Sequence, residues 1–313
     1  MQFRLNKIDW QKLSEDRNLK INIGLAIILI VIFAFFIDIV FSIYRYRYQV
    51  ETGPKKEQVI KKETRPLVIK KPEAAVKKAV KSTRAVMVAI ILDDAGGKAP
   101  DYASIYAIKQ RMTLSVIPNL PTSARVASEA KQKGIEIMLH LPMEAENGEF
   151  TRQGSDMVTC MEDDATIKSS VHNSFMNIKY AAGFNNHMGS KATKDERVMR
   201  SVFDSLKGLP KQSVWGKSYY FVDSHTSNRS IAISTARKMG IPSAENNVFL
   251  DGGTSSSYIE GKLRELIAIA KRNGSAIGIG HATRRETIEV LQRMLPKYAD
   301  EGIKFVHVSE LVK

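Results

Sequence analysis

The chain reads as an α/β protein built on a parallel sheet, either open or closed into a barrel. Three observations predict this. Short apolar runs rich in β-branched residues alternate with amphipathic stretches from residue 86 to the end. The runs are bounded by turn residues, as strands are. Finally, the unusual polar residues fall where the apolar runs stop, the edge at which open α/β sheets and barrels both build their sites.

Taken in order, the strand candidates are Val86 to Leu92, Thr113 to Ile117, Glu136 to Leu139, Gly183 to Asn185, Tyr219 to Val222, Ser243 to Phe249 and Ala276 to Ile279, with Phe305 to His307 as a last one. Between them the 3.6-residue period predicts helices over Asp101 to Arg111, Thr122 to Lys133, Asp164 to Tyr180, Lys194 to Leu206, Ser230 to Met239, Ser257 to Asn273 and Arg285 to Glu301.

The first 85 residues have a different character. Residues 1–20 form a short basic segment, and residues 21–44 contain GLAIILIVIFAFFI, an uncharged run that with its apolar flanks reaches the ~20 residues a membrane helix needs. Asp38 lies near the end of that span, close to a belt of Tyr44, Tyr46 and Tyr48. No small-residue cleavage pattern follows closely, which predicts a retained signal anchor. Basic residues flank both sides almost equally, so charge bias leaves the orientation open. Residues 45–85 are rich in Lys, Glu and Pro without sustained period, the pattern of a charged linker.

Charge and cysteine content exclude several classes. Of the net +14, residues 1–86 carry +10, with 18 Lys/Arg against 8 Asp/Glu. The folded part is therefore only mildly basic, which argues against a nucleic-acid groove. Cys160 is the single cysteine, so there is neither an intrachain disulfide nor a multi-cysteine metal site. A metal, if held, is held by His and carboxylate.

The residues at the strand ends form one constellation. In AIILDDAGGK, Asp93 and Asp94 can share one mouth in unlike environments, one as a metal ligand and the other as a proton acceptor. The rival role for either is an N-cap or turn, with Gly96 and Gly97 supplying positive φ. LHLPMEAE places His140 at a strand end, and Pro142 predicts an abrupt turn that brings Glu144 back toward the mouth. GFNNHMGS reads as a specific loop, in which His187 is a neutral-imidazole ligand candidate and Asn185 or Asn186 orients it or binds substrate. In FVDSHTS, Asp223 and Ser224 are candidates to buttress a ligand or contact substrate, and His225 is the weaker histidine. His281, after IGIG, is placed to act as an acid, while His172 and His307 read as structural.

Together, ILDDAG, LHLPME, NNHMGS, FVDSHTS and IGHA in this order resemble the divergent polysaccharide deacetylases, over essentially residues 86–313. The resemblance implies a distorted (β/α) barrel of about seven parallel strands, a divalent metal that is usually zinc, and hydrolysis of acetyl groups on an envelope or extracellular glycan. It further implies export, hence a single-pass bacterial inner-membrane protein with its catalytic domain on the periplasmic or external side. By the same resemblance Asp93 matches the general base, Asp94 and His140 match metal ligands, and His281 matches the acid. The pattern departs at Glu144, where the family's second metal histidine is expected, and His187 is the candidate replacement. The arginine that usually supports the base and a later tryptophan have no clear counterpart. The alternative function is a catalytically degenerate glycan-binding or envelope scaffold protein.

Overall fold

The computed structural model describes residues 85–97, 101–148 and 157–313. The chain divides into two units, Met1–Lys78 and Ala79–Lys313, and every described residue belongs to the second. The expected cytoplasmic segment, membrane span and nearly all of the linker lie outside the described residues. Among the described residues no helix is long and apolar enough to cross a membrane.

Among the described residues nine strands form one sheet in which every pairing is parallel. They are β1 (Met87–Ala95), β2 (Thr113–Val116), β3 (Glu136–Met143), β4 (Ala181–Met188), β5 (Tyr220–Asp223), β6 (Ser243–Glu245), β7 (Val248–Phe249), β8 (Ser275–His281) and β9 (Lys304–Val306). The helices that return the chain are α1 (Tyr102–Tyr106), α2 (Ser123–Gln132), α3 (Asp164–Asn177), α4 (Glu196–Ser205), α5 (Ala232–Lys238), α6 (Ser256–Asn273) and α7 (Arg285–Asp300). Several start on a side-chain cap: Asp163 accepts from Thr166 N, Asp195 from Val198 N and Ser255 from Tyr258 N. Each cap satisfies a backbone donor the helix cannot use internally.

The strand order, β6-β5-β4-β3-β2-β1-β8-β7, puts the two edge strands only two residues apart in the chain. The sheet must therefore curl until its edges nearly meet. Asn246 and Asn247 join them, since Asn246 N donates to Asp223 O on the β5 side and Asn247 N to Ile277 O on the β8 side, both at 2.9 Å. The expected single strand Ser243 to Phe249 is thus corrected to two strands at opposite edges, with a polar corner between. Along β1, β8 takes one edge from Met87 to Asp93, while β9 and β2 divide the other. The chain is a parallel α/β sheet curled into a distorted barrel.

Side-chain alternation sorts the core into two layers. Ala89, Ile91, Met138, Ala182, Tyr220, Val222, Ile277, Ile279 and Val306 fill the barrel interior. The opposite faces of the strands pack under the helices, as where Phe184, Phe203 and Phe221 meet with ring centroids 4.9–5.9 Å apart. In IGIG the isoleucines point inward. A side chain on outward-facing Gly280 would come within 2.8 Å of Thr287, so the glycine lets α7 close on β8.

Candidate active site

Two bulges build the site. On β1, Leu92 to Ala95 spans three residues where β2 spans two. Regular alternation would send Asp93 inward and Asp94 outward. The extra residue, with Asp94 at φ 62°, brings both carboxylates to the same mouth. On β4, Ala181 to Phe184 again spans three residues against two on β3. Ala182 faces inward, so without this bulge Asn185 and His187 would face the helices. Gly183 makes the bulge possible, because any Cβ there would lie 2.4 Å from Tyr220 O.

The expected GFNNHMGS loop is thereby corrected to strand. β4 runs through Met188, and His140, Leu141, Pro142 and Met143 on β3 pair with Asn185, Asn186, His187 and Met188. Pro142 causes no abrupt turn, since extended backbone accommodates its fixed φ and its missing N–H is not needed where the chain continues as β3.

Three donor atoms converge at the mouth. His140 Nε2 lies 3.2 Å from Asp94 Oδ1, His187 Nδ1 lies 3.1 Å from the same oxygen, and the two ring nitrogens are 3.0 Å apart. Asp94 Oδ1 is buried without a well-aligned hydrogen bond. Ligands of a tetrahedral zinc at ~2.0–2.1 Å stand about 3.3 Å from one another, and catalytic zinc sites take three such ligands and leave a position open. The described residues therefore fit a divalent ion at Asp94, His140 and His187.

The electrostatics divide the two acids. Burial pushes the pKa of Asp93 up, more than His140, Asn185 and His281 pull it down. Burial acts on Asp94 the same way, but His140 and His187 outweigh it and hold that carboxyl well below the usual range. For His140, burial opposes the cation, yet Asp93 and Asp94 beside it raise its pKa on balance.

On the neighbouring strand β8, His281 is the register partner of Asp93 on β1. His281 Nδ1 lies 2.8 Å from Asp251 Oδ1, and His281 N donates to Oδ2 of the same carboxylate at 2.8 Å. Thr287 Oγ1 also donates to Asp251, which is fully buried. Burial disfavours the His281 cation, but Asp251 outweighs it and raises the pKa. Sequence reasoning missed Asp251. The signal was present, for Asp251 ends an apolar run as the other site residues do, but reading Ser243 to Phe249 as one strand hid it. Ser115, whose Oγ donates to Asn185 Oδ1 at 2.6 Å, lies inside an apolar strand and gave no signal.

The remaining candidates separate. Asn185 joins the centre, bonding His140, Asp93 and Ser224. Ser224, inward by alternation, supports Asn185 and donates to Asn186 O. Asn186 faces away and ties the loop ends, donating to Met188 O and accepting from Ser224 N. Asp223 does not buttress a ligand histidine: it has the outward parity and accepts from His225 N and Ser230 Oγ. Glu144 does not turn into the mouth, because Lys191 binds one oxygen at 2.5 Å and Cys160 N donates to the other at 2.7 Å. His225 pairs with Glu245.

The chain is 30% identical to an uncharacterized protein of Haemophilus influenzae over 223 residues, 71% of this chain and 75% of that protein. It is also 30% identical to the uncharacterized protein YibQ of Escherichia coli, over 66% of this chain and 61% of that one, so the match spans less than two thirds of the latter's length. Among solved structures, an uncharacterized protein of Agrobacterium tumefaciens superposes with a TM-score of 0.62 at 27% identity, covering 74% of this chain and 91% of that one. The sequence profile of the divergent polysaccharide deacetylases matches residues 90–312, and with the centre described above at the mouth of its barrel the chain belongs to that family.

Proposed function

We propose that the chain is a metal-dependent hydrolase that removes acetyl groups from an envelope or extracellular polysaccharide, held at the bacterial inner membrane by residues 21–44 with the barrel on the periplasmic or external side. The observation that carries the chemistry is the convergence of Asp94, His140 and His187 within 3.0–3.2 Å, beside a buried carboxylate whose register partner is the histidine of a histidine–carboxylate pair. The family and the uncharged run at residues 24–37 support the substrate class and the anchoring.

In this reading Asp94, His140 and His187 hold a divalent cation, with zinc the best match to the donor set. When bound, the ion supplies Lewis-acid polarisation of the acetyl carbonyl and lowers the pKa of water to about 7. Asp93 takes the proton of the attacking water, and its raised pKa makes it a stronger base than an ordinary carboxylate. His281, whose pKa Asp251 raises, gives a proton to the departing amine or alkoxide. Asp251 fixes the His281 ring and its tautomer by accepting from Nδ1, which leaves Nε2 free to deliver the proton.

The test is metal content and acetate release by the purified full chain on acetylated wall glycan. One equivalent of metal, lost in His187→Ala, and acetate release, lost in Asp93→Asn, are expected. A wild type that holds no stoichiometric metal, with His187→Ala changing nothing, would sink the hydrolase reading. Metal and glycan binding without acetate release would favour the scaffold reading.

A further inference from the structure

We propose that Asn185 is the positioning residue of this centre: its carbonyl end fixes the metal-facing tautomer of His140 while its amide end holds Asp93 in place. The inference rests on the metal-dependent reading above and deepens it, because it assigns to one neutral side chain the support of two groups with opposite tasks.

Asn185 Nδ2 lies 2.9 and 3.1 Å from the two oxygens of Asp93 and 3.1 Å from Ser224 Oγ. Ser224 Oγ in turn lies 2.9 Å from the main-chain oxygen of Asn186. A carbonyl can only accept, so the Ser224 hydrogen goes to Asn186 and only a lone pair is left for Asn185. An ionised Asp93 also only accepts. Two separate acceptors therefore require the NH2 group of Asn185 on this side, and the orientation of the amide is set by its surroundings rather than by choice.

Its oxygen then faces Ser115 Oγ at 2.6 Å and His140 Nδ1 at 2.8 Å. Since Oδ1 cannot donate, His140 must carry a hydrogen on Nδ1. A neutral His140 consequently presents its Nε2 lone pair to Asp94 Oδ1 and His187 Nδ1, the arrangement a cation needs and one that is repulsive without it. Every donor and acceptor of Asn185 is used, at a residue with no solvent exposure. Position reinforces the assignment, because Asn185 and His140 are direct register partners on β4 and β3. The arginine that the family resemblance leads one to expect beside the base is thus answered by an uncharged amide. A charged side chain there would face the proposed cation site, whereas Asn185 adds no charge beside it.

The two ends can be separated experimentally. Asn185→Asp keeps an acceptor for His140 but has no amide hydrogen for Asp93. Asn185→Leu removes both. Zinc binding to the chelator-stripped full chain is followed by calorimetry, and the His140 tautomer by two-bond proton–nitrogen NMR correlations on the same protein. The expected wild type carries its His140 hydrogen on Nδ1. Asn185→Leu should weaken zinc about 10- to 100-fold, as loss of a partner behind a ligand histidine does, and Asn185→Asp, which keeps the acceptor and adds negative charge beside the cation, should bind zinc no more than about threefold more weakly than wild type. Both should lose acetate release by about 100-fold or more, because neither holds the base.

Equal weakening of zinc by the two variants would overturn the proposal, and so would a wild-type His140 protonated on Nε2 alone. The tautomer measurement needs no variant and decides even if both substitutions unfold the barrel. It also separates this inference from the function it rests on. A wild type that binds zinc with the predicted tautomer but releases no acetate ends the hydrolase reading and leaves the metal-positioning role of Asn185 standing.

Discussion

Both ends of the barrel bury charged and polar side chains, but they bury them differently. At the N-terminal ends of the strands Glu136 is 1% exposed, and its Oε1 accepts from Thr113 Oγ1, Tyr220 OH and Ser309 N at 3.0–3.2 Å. Arg111 binds Glu310 and donates to His307 Nδ1, so that ring accepts there, and burial pushes its pKa down. Donors meet acceptors around Glu136 at that end, while His307 Nε2 is buried without a partner. At the C-terminal ends, a carboxylate oxygen and two ring nitrogens lie 3.0–3.2 Å apart, and a neutral His140 turns its Nε2 lone pair toward that carboxylate. Burial of polar groups is common to structure and function. Convergence of lone pairs is not, because it costs stability unless a cation or a proton occupies the centre.

The comparison can be broken by substitution at either end. The largest effect is expected for Asp93→Asn, which should lower kcat for acetate release about 10²- to 10⁴-fold while leaving metal content unchanged. Retained activity would remove Asp93 from the chemistry. Asp251→Asn should lower kcat about 10- to 100-fold, less than loss of the base, since His281 stays in place but loses the partner that orients and charges it. Because Asp251 holds the His281 pKa up, the alkaline limb of the kcat/KM profile should also move to lower pH. An unmoved limb would mean that His281 is not the acid.

Removing the ion tests the cluster through stability. The metal-free centre relies on a protonated His140, whose pKa is raised in the folded chain. Its contribution is complete below the unfolded value of about 6.5 and is lost as pH rises through the folded value. The gap in Tm between zinc-loaded and chelated protein should therefore widen with rising pH across that window. At 100 times Kd, free zinc should add about 2.7 kcal/mol. A gap that shrinks with pH would place the ion elsewhere.

The smallest effect on activity is expected at the other end. Glu136→Ala leaves two buried hydroxyls and the half-buried Ser309 N without their acceptor and should cost about 3 kcal/mol in urea unfolding. Activity per folded molecule should stay within about twofold, since Glu136 and its partners lie at the far end of the strands. A large loss of kcat without unfolding would show that the two ends are coupled.

Much of this was legible in the sequence. Alternating short apolar runs and amphipathic stretches place the seven helices and nearly all the strands, because each buries one face and the period of that face is a local property. The ordered polar motifs at the strand ends give the family and gather Asp93, Asp94, His140, His187 and His281 as one constellation. Parity within a regular strand would also have separated Ser224 from Asp223, since Tyr220 and Val222 point inward and set the phase.

What the tertiary structure decided is where that parity breaks. The β1 bulge at Asp94 and the β4 bulge permitted by Gly183 are set by pairing across the sheet, and a one-residue slip reverses every side chain beyond it. The corner at Asn246 and Asn247, and with it Asp251 behind His281, depends on the two edges of a curled sheet meeting. The order of amino acids settles which residues could do chemistry and that they stand along one edge. Only the fold decided which of them face each other, because facing depends on register and closure, and these are properties of strands in pairs.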